Sequence, residues 1–306
     1  MDVDSSSLHA LRSQLYNPVD TPIAHEELDL FRKKEFGDAD VAELFHENTK
    51  ITLNDARFAR RVHKFNNDET SWTVLEHFRP DYENREPVEL PDPAESLSTD
   101  LSTALSQRES VRVFEGGELS RQQLSTLLWY SSGTPRTQVL SGEADHPVER
   151  RPYPSGGGLY PVELYFALTS AGEGLSEGLY YYVPGEHELR RLRRPASAGD
   201  FLEELTGLLD PHDETAIDFE GANFVPMLTA AFWRSKAKYG PRGYRFVLQE
   251  SGHLLQNLLL VAEALGMGGV PLGAYREDEI NEFLGVDGVN EALVYAGVFG
   301  TTGGNA

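Results

Sequence analysis

The chain has 306 residues, no cysteine, and 49 Asp+Glu against 27 Lys+Arg, for a formal net charge of −22. These numbers exclude disulfides, thiolate metal sites and cysteine nucleophiles, and a surface this acidic repels nucleic acid and anionic lipid. Redox chemistry in such a chain needs a bound cofactor, because no protein thiol is available.

No apolar run reaches the roughly eighteen residues needed to span a bilayer. The N-terminus, Met1-Asp-Val-Asp-Ser5, is polar and acidic, without the basic start and apolar block of a secretory signal. A cytoplasmic protein is expected. Lysine occurs only at Lys33, Lys34, Lys50, Lys64, Lys236 and Lys238, so arginine dominates the cations. Excess carboxylate with few lysines points to a halophilic cytoplasm, where salt screens self-repulsion; an ordinary acidic mesophilic protein is the plainer reading.

Residues 1–95 are rich in charge and poor in strand-like runs. Asp38 to His46 reads as a short helix capped by Asp38 or Asp40. The three prolines between Arg85 and Pro93 read as an extended linker. We therefore expect an N-terminal extension over 1–95, mostly helical or irregular, and a main domain over 96–306. Residues 97–107 read as a helix. A second begins at Ser120, with Gln123 completing a capping box, Leu119 as a staple and Leu124, Leu127 and Leu128 on its buried face.

Glu163 to Thr169 reads as a strand. Leu179–Val183 and Leu189–Leu192 flank a hairpin turn at Pro184-Gly185. Phe224 to Trp233 reads as a buried strand. The strongest helix runs from Tyr244 to Leu265, apolar around nearly its whole circumference and stopped by Gly266. Gly268–Tyr275 follows as a strand or loop, then a short helix over Glu277–Phe283 ended by Gly285, and a last strand over Ala292–Phe299. Helices and strands mix without strict alternation, which predicts an α+β fold.

Three segments carry chemistry. In Arg108-Glu-Ser110-Val-Arg112, two guanidiniums and a hydroxyl can converge on a phosphate, which arginine's planar fork suits; a charged, solvated helix end is the plainer reading. In Pro154-Ser155-Gly156-Gly157-Gly158-Leu159-Tyr160-Pro161, the glycines let main chain approach a flat ligand; the plainer reading is a surface turn. In the third, Lys236-Ala-Lys238-Tyr239-Gly240, a chain that prefers arginine places two lysines. A desolvated lysine can release its proton near neutral pH and arginine cannot. Lys238, with Tyr239 beside it, is thus a candidate base or proton donor, against a basic loop capping the preceding strand. His253 reads as a core histidine without a second metal ligand at usable spacing. No HExxH, Walker loop or strand-GxGxxG-helix unit occurs.

In order and spacing, RESVRVF, RPYPSGGGLYPVELY, KYGPRGYRFVLQESGHLLQNLLLVAEALGMGGVPLGAY and ALVYAGVFG together resemble the SagB/McbC branch of the nitroreductase superfamily over residues 95–300. AELFHENTK, near residue 45, resembles the N-terminal region of SagB-type proteins. The resemblance implies a nitroreductase-like fold, a mixed sheet flanked by helices, with FMN held at a homodimer interface. It assigns Arg108, Ser110 and Arg112 to the phosphate and ribityl chain. Pro154, Ser155, Gly156 and Gly157 would line the isoalloxazine, and Leu272, Gly273 and Ala274 would offer main chain near its N5. Lys238-Tyr239 would be the pair tied to azoline oxidation.

Gly158 and Tyr160 stand where general nitroreductases carry Asn and Gln, which fits the SagB branch. The tail after the last strand lacks the basic phosphate ligand common in nitroreductases. The implied activity is oxidation of thiazoline or oxazoline rings in a ribosomally made peptide, with a cyclodehydratase as a possible partner. Two other readings stay open: an NAD(P)H-dependent nitro- or quinone reductase, and a non-catalytic scaffold of a peptide-modifying complex.

Overall fold

The structure, a computed structural model, describes residues 41–51, 56–68, 70–72, 74, 80, 82–140, 146–170, 172, 174–193, 217, 219 and 221–302. It divides into two compact units, Met1–Thr52 and Leu53–Ala306. In the first, helix α1 (Val41–Asn48) ends where the Thr49 hydroxyl donates to the Phe45 carbonyl at 2.6 Å. The expected caps Asp38 and Asp40 lie outside the described residues.

The second unit is built on a seven-stranded sheet. Its strands are β1 (Pro87–Glu89), β4 (Val162–Leu168), β5 (Gly178–Val183), β6 (Glu188–Arg193), β7 (Phe224–Ala231), β8 (Met267–Leu272) and β9 (Glu291–Thr301), in the order β1-β6-β5-β4-β7-β9-β8. These neighbours pair antiparallel; a parallel bridge joins Ser110 to Gly269 on β8. The Pro87–Glu89 edge strand comes from the proline-rich stretch, where the sequence suggests a linker. Pro87 suits an edge, since it has no N–H to give. A separate hairpin, β2 (Arg136–Leu140) with β3 (His146–Arg150), has no counterpart in the sequence reading.

β4 and β7 are buried throughout, so residues alternate between two cores rather than between core and water. Val162, Leu164, Phe166 and Leu168 face one core, which includes Leu124, Leu127 and Leu128 of helix α4 (Arg121–Ser132) and Leu254, Leu255 and Leu258 of helix α6 (Gly243–Ala264). Tyr165 and Ala167 face the other, which includes Ile280 and Leu284 of helix α7 (Glu277–Leu284). Helices α2 (Ala56–Asn66), α3 (Leu101–Gln107) and α5 (Phe232–Tyr239) also lie among the described residues.

The local signals explain the boundaries. At α4 the Ser120 hydroxyl accepts from the Gln123 N–H at 3.1 Å while the Gln123 side chain accepts from the Ser120 N–H at 3.2 Å, and Leu119 and Leu124 are both fully buried, as a staple requires. Gly285 closes α7 at φ 78°.

Three expectations change. α3 starts at Leu101, where the Asp100 side chain accepts from the Thr103 N–H, not at residue 97. β7 stops at Ala231, and Phe232–Tyr239 is a helix; the apolar run Phe232-Trp233 disguises the switch. α6 is not covered all round: Leu248, Gln249, His253 and Gln256 are exposed. His253 is therefore a surface residue, contrary to the core placement, because its position falls on the one stripe that faces outward. Among the described residues no helix is long and apolar enough to cross a membrane.

Candidate active site

Strand register brings three segments to one end of the sheet. The loop 154–161 leads into Val162, which pairs with Ala230 on β7, and Ala230 pairs with Ala292 on β9. α5 begins at that end, immediately after β7. β8 runs toward the same end and stops at Leu272, opposite Ala296, so Gly273 and Ala274 emerge there. Both are exposed.

The glycine loop is fixed from beneath. Tyr160 holds a left-handed φ of 44°, a conformation that a bulky residue keeps only when its surroundings impose it. Here its N–H donates to the Ser155 hydroxyl at 2.9 Å, its hydroxyl accepts from the Arg151 N–H at 3.1 Å, and its carbonyl accepts from the buried Arg234 at 3.1 Å. Arg234 also pairs with Glu163, both almost fully buried. Glu250, from α6, is buried, hydrogen-bonds Ser155, and accepts from the Val162 N–H at 3.5 Å. Its Oε2 has no hydrogen-bond partner. Burial pushes its carboxyl up to about 7, against the pull of Ser155 and Arg151. The Ser155 side chain is thus engaged within the loop, and main chain is what the loop presents.

Lys238 and Tyr239 close on that loop. A Cβ on Gly157, which sits at φ 72°, would lie 2.5 Å from Tyr239 Oη and 2.8 Å from Lys238 Nζ. Only glycine permits such an approach. α5 and α6 hold the pair there: Gly243 lies so close to Ser235 that a Cβ would be 2.7 Å from its carbonyl carbon, and the Ser235 hydroxyl donates to the Gly243 carbonyl at 3.1 Å. Tyr239 stacks on Phe58 and meets Phe246 edge-on, with centroids 6.1 and 4.8 Å apart. Lys238 is buried in the last turn of α5, rather than in a loop. Burial lowers its affinity for a proton and raises that of Tyr239.

The segment 108–112 lies along β8. The Val111 N–H donates to the Gly269 carbonyl at 3.2 Å, and a Cβ on Gly268 would be 2.6 Å from that of Val111. Arg108 caps α3 and is half-buried; Ser110 is exposed; Arg112 reaches back to the Ser110 carbonyl at 3.4 Å. The structure therefore joins Lys238 and Tyr239 directly to the glycine loop, and joins 108–112 to the strand that delivers Leu272–Ala274. β4 and β8 stand three strand spacings apart, about 14 Å. Among the described residues no cluster of His, Cys, Asp or Glu could hold a metal ion.

Glu250, Arg151, Arg234 and the aromatic residues Phe65 and Trp72 are absent from the sequence-derived site. Glu250 left a signal: it lies three residues after Val247 and four before Leu254, on the buried stripe of α6. The others gave none, since only the fold brings them close.

The chain belongs to the nitroreductase family, whose match covers residues 105–301, and with it to the oxidoreductases. It is 30% identical over 202 residues to a Methanocaldococcus jannaschii protein named as a nitroreductase, covering 64% of this chain and 88% of that one. It is 31% identical over 162 residues to the microcin B17-processing protein McbC of Escherichia coli, covering 49% of this chain and 54% of McbC. A crystal structure of a nitroreductase-named protein from Anabaena variabilis superposes with a TM-score of 0.63 at 22% identity, over 88% of this chain and 49% of that one. That last likeness bears on the fold alone.

Proposed function

We propose that this protein is an FMN-dependent dehydrogenase that oxidises thiazoline or oxazoline rings in a ribosomally made peptide to azoles. The observation that carries the reading is the convergence of Lys238 Nζ and Tyr239 Oη on Gly157. The similarity to McbC, a protein named for processing a microcin, supports a peptide as substrate.

The residues fit FMN. Gly157 gives a wall on which no side chain stands, a Cβ placed on Gly273 would meet nothing within 4 Å, and Arg108 and Arg112 offer guanidiniums suited to a phosphate. Pro154, Ser155 and Gly156 would complete the ring-facing wall, Leu272 and Ala274 would flank the exposed main chain, and Ser110 would add a hydroxyl at the phosphate end. FMN, when bound, supplies a two-electron acceptor at that wall. A homodimer grips it between subunits in this reading, and a cyclodehydratase partner delivers the peptide.

The chain's own residues handle the proton. Lys238, buried and without a carboxylate partner among the described residues, is the stronger candidate to take the proton from the azoline Cα. The Tyr239 phenol holds its proton more tightly than usual, so it serves as a hydrogen-bond donor that orients the ring.

The test is Lys238→Ala in the flavin-loaded protein. FMN content and visible spectrum are expected to stay unchanged while azoline oxidation falls by about 10²–10⁴-fold, the range general bases supply. Full oxidation by the variant removes Lys238 from the reaction. Rapid anaerobic bleaching of the flavin by NADPH, followed by reoxidation with a nitroaromatic, instead assigns the protein to nitro- or quinone reduction.

A further inference from the structure

Lys238 is surrounded by rings that its own helix does not supply. Its Nζ lies 5.4 Å from the centroid of Phe65, 5.3 Å from that of Trp72 and 5.6 Å from that of Tyr239. Phe65 ends α2 and is buried; Trp72 follows and meets it edge-on at 5.5 Å. Leu159 of the glycine loop packs in the same cluster, with Trp233 at its margin. α2 is tied to α5 by Arg61, which donates to the Lys236 carbonyl at 3.3 Å. Both Phe65 and Trp72 precede the family-matched residues 105–301.

We propose that Phe65 and Trp72 are positioning residues of the active site: with Tyr239 they form an aromatic sleeve that excludes water and counter-charge from Lys238 Nζ and fixes the amine over Gly157 as a proton acceptor. The proposal rests on the reading of Lys238 as the base and extends it to a part of the chain outside the family match.

The surroundings agree. Around the sleeve, α2 carries Arg57, Arg60, Arg61, His63 and Lys64 and no acid. α5, the turn after it and the start of α6 carry Arg234, Lys236, Arg242 and Arg245, again with no acid, and Arg150 lies against Gly158. Two described carboxylates flank these stretches, Asp68 just after α2 and Glu250 further along α6. Asp68 accepts from the Ser71 hydroxyl at 2.7 Å, and Glu250 is bonded to Ser155 beneath the loop. An ammonium inside the sleeve thus loses hydration and gains no counter-ion from the described residues, while the ring faces return only part of that loss. The burial-driven fall in the proton affinity of Lys238 follows in direction.

The chain's six lysines make this directly measurable. In holoprotein labelled with ¹³Cε-lysine, Lys238→Arg assigns the Lys238 resonance. It is expected to titrate at lower pH than the other five. Trp72→Ala, and Phe65→Ala beside it, should move that midpoint up by one pH unit or more with flavin content unchanged. The rate at pH 7 then falls about tenfold for each pH unit the midpoint rises, KM holds, and activity returns on raising the pH. Trp72→Phe should restore the low midpoint. Trp72→Gln, which keeps bulk while admitting water, replaces the alanine variant if that variant is unstable. A Lys238 midpoint that matches the other lysines in the wild type, or one that ignores Trp72→Ala and Trp72→Gln, overturns the proposal. A midpoint that shifts as expected in a protein whose Lys238→Ala variant still oxidises azolines upholds the sleeve and removes the base reading alone.

Discussion

At the scale of single residues, the site depends on groups held in uncomfortable states by their neighbours. Glu250 binds its proton more tightly in the folded chain than in the unfolded one. Between the ordinary carboxylate range and about pH 7 the native state therefore holds the extra proton, and stability falls as pH rises through that window. Denaturant titrations from pH 5 to 8 should show this slope, and Glu250→Gln, which still accepts from Ser155, should flatten it. Gly157→Ala should cost about 1–3 kcal/mol, since it combines a left-handed φ with contacts to Lys238 and Tyr239. It should also depress turnover more than a stability-matched substitution elsewhere. The glycine run was legible from three consecutive glycines between prolines, and the Lys238-Tyr239 pair from a lysine in a chain that prefers arginine. Glu250 was only half legible: its helical position was buried, yet an acid there looks like an exception until Ser155 is seen above it.

At the scale of elements, start and stop signals carried most of the information. α4 was legible from Ser120 and Gln123 because a capping box is a local device. Ser120→Ala is expected to cost about 1 kcal/mol, read as a fall of about 2 °C in melting temperature. α5 was not legible: Ala231 and Phe232 are both apolar, and the turn from strand to helix there has no side-chain cap. Edge strand β1 was hidden for a different reason. Its three residues gain their partner only from β6, far along the chain, so their prolines spoke louder than their pairing. The buried pair of Glu163 on β4 and Arg234 on α5 joins sheet to helix, and Glu163→Ala should cost about 3–5 kcal/mol by stranding a charge.

For the whole molecule, α+β architecture was readable from the mixture of elements, whereas the strand order was not, because non-local pairing leaves no periodic trace. The net charge of −22 gives an expectation of its own: if the acidic surface is an adaptation to salt, melting temperature should climb steadily from about 0.1 to 1 M NaCl as the screening length shrinks from about 10 to 3 Å. A flat response assigns the charge to solubility instead. The proposed homodimer has a surface to test. Leu101 and Leu105 on α3, and Tyr244 and Leu248 on α6, stand exposed in the single chain. Sedimentation should give twice the chain mass, and Leu105→Asp with Leu248→Asp should return it toward one.

Edge strand β1 also bears on how this protein can be handled. Trimming the chain to its most recognisable portion would strip Pro87–Glu89 from β6 and bare a row of amide groups ready to zip onto a neighbouring molecule. Such a fragment should clump where the parent stays dispersed, so its failure would speak of a torn hem rather than of a missing enzyme.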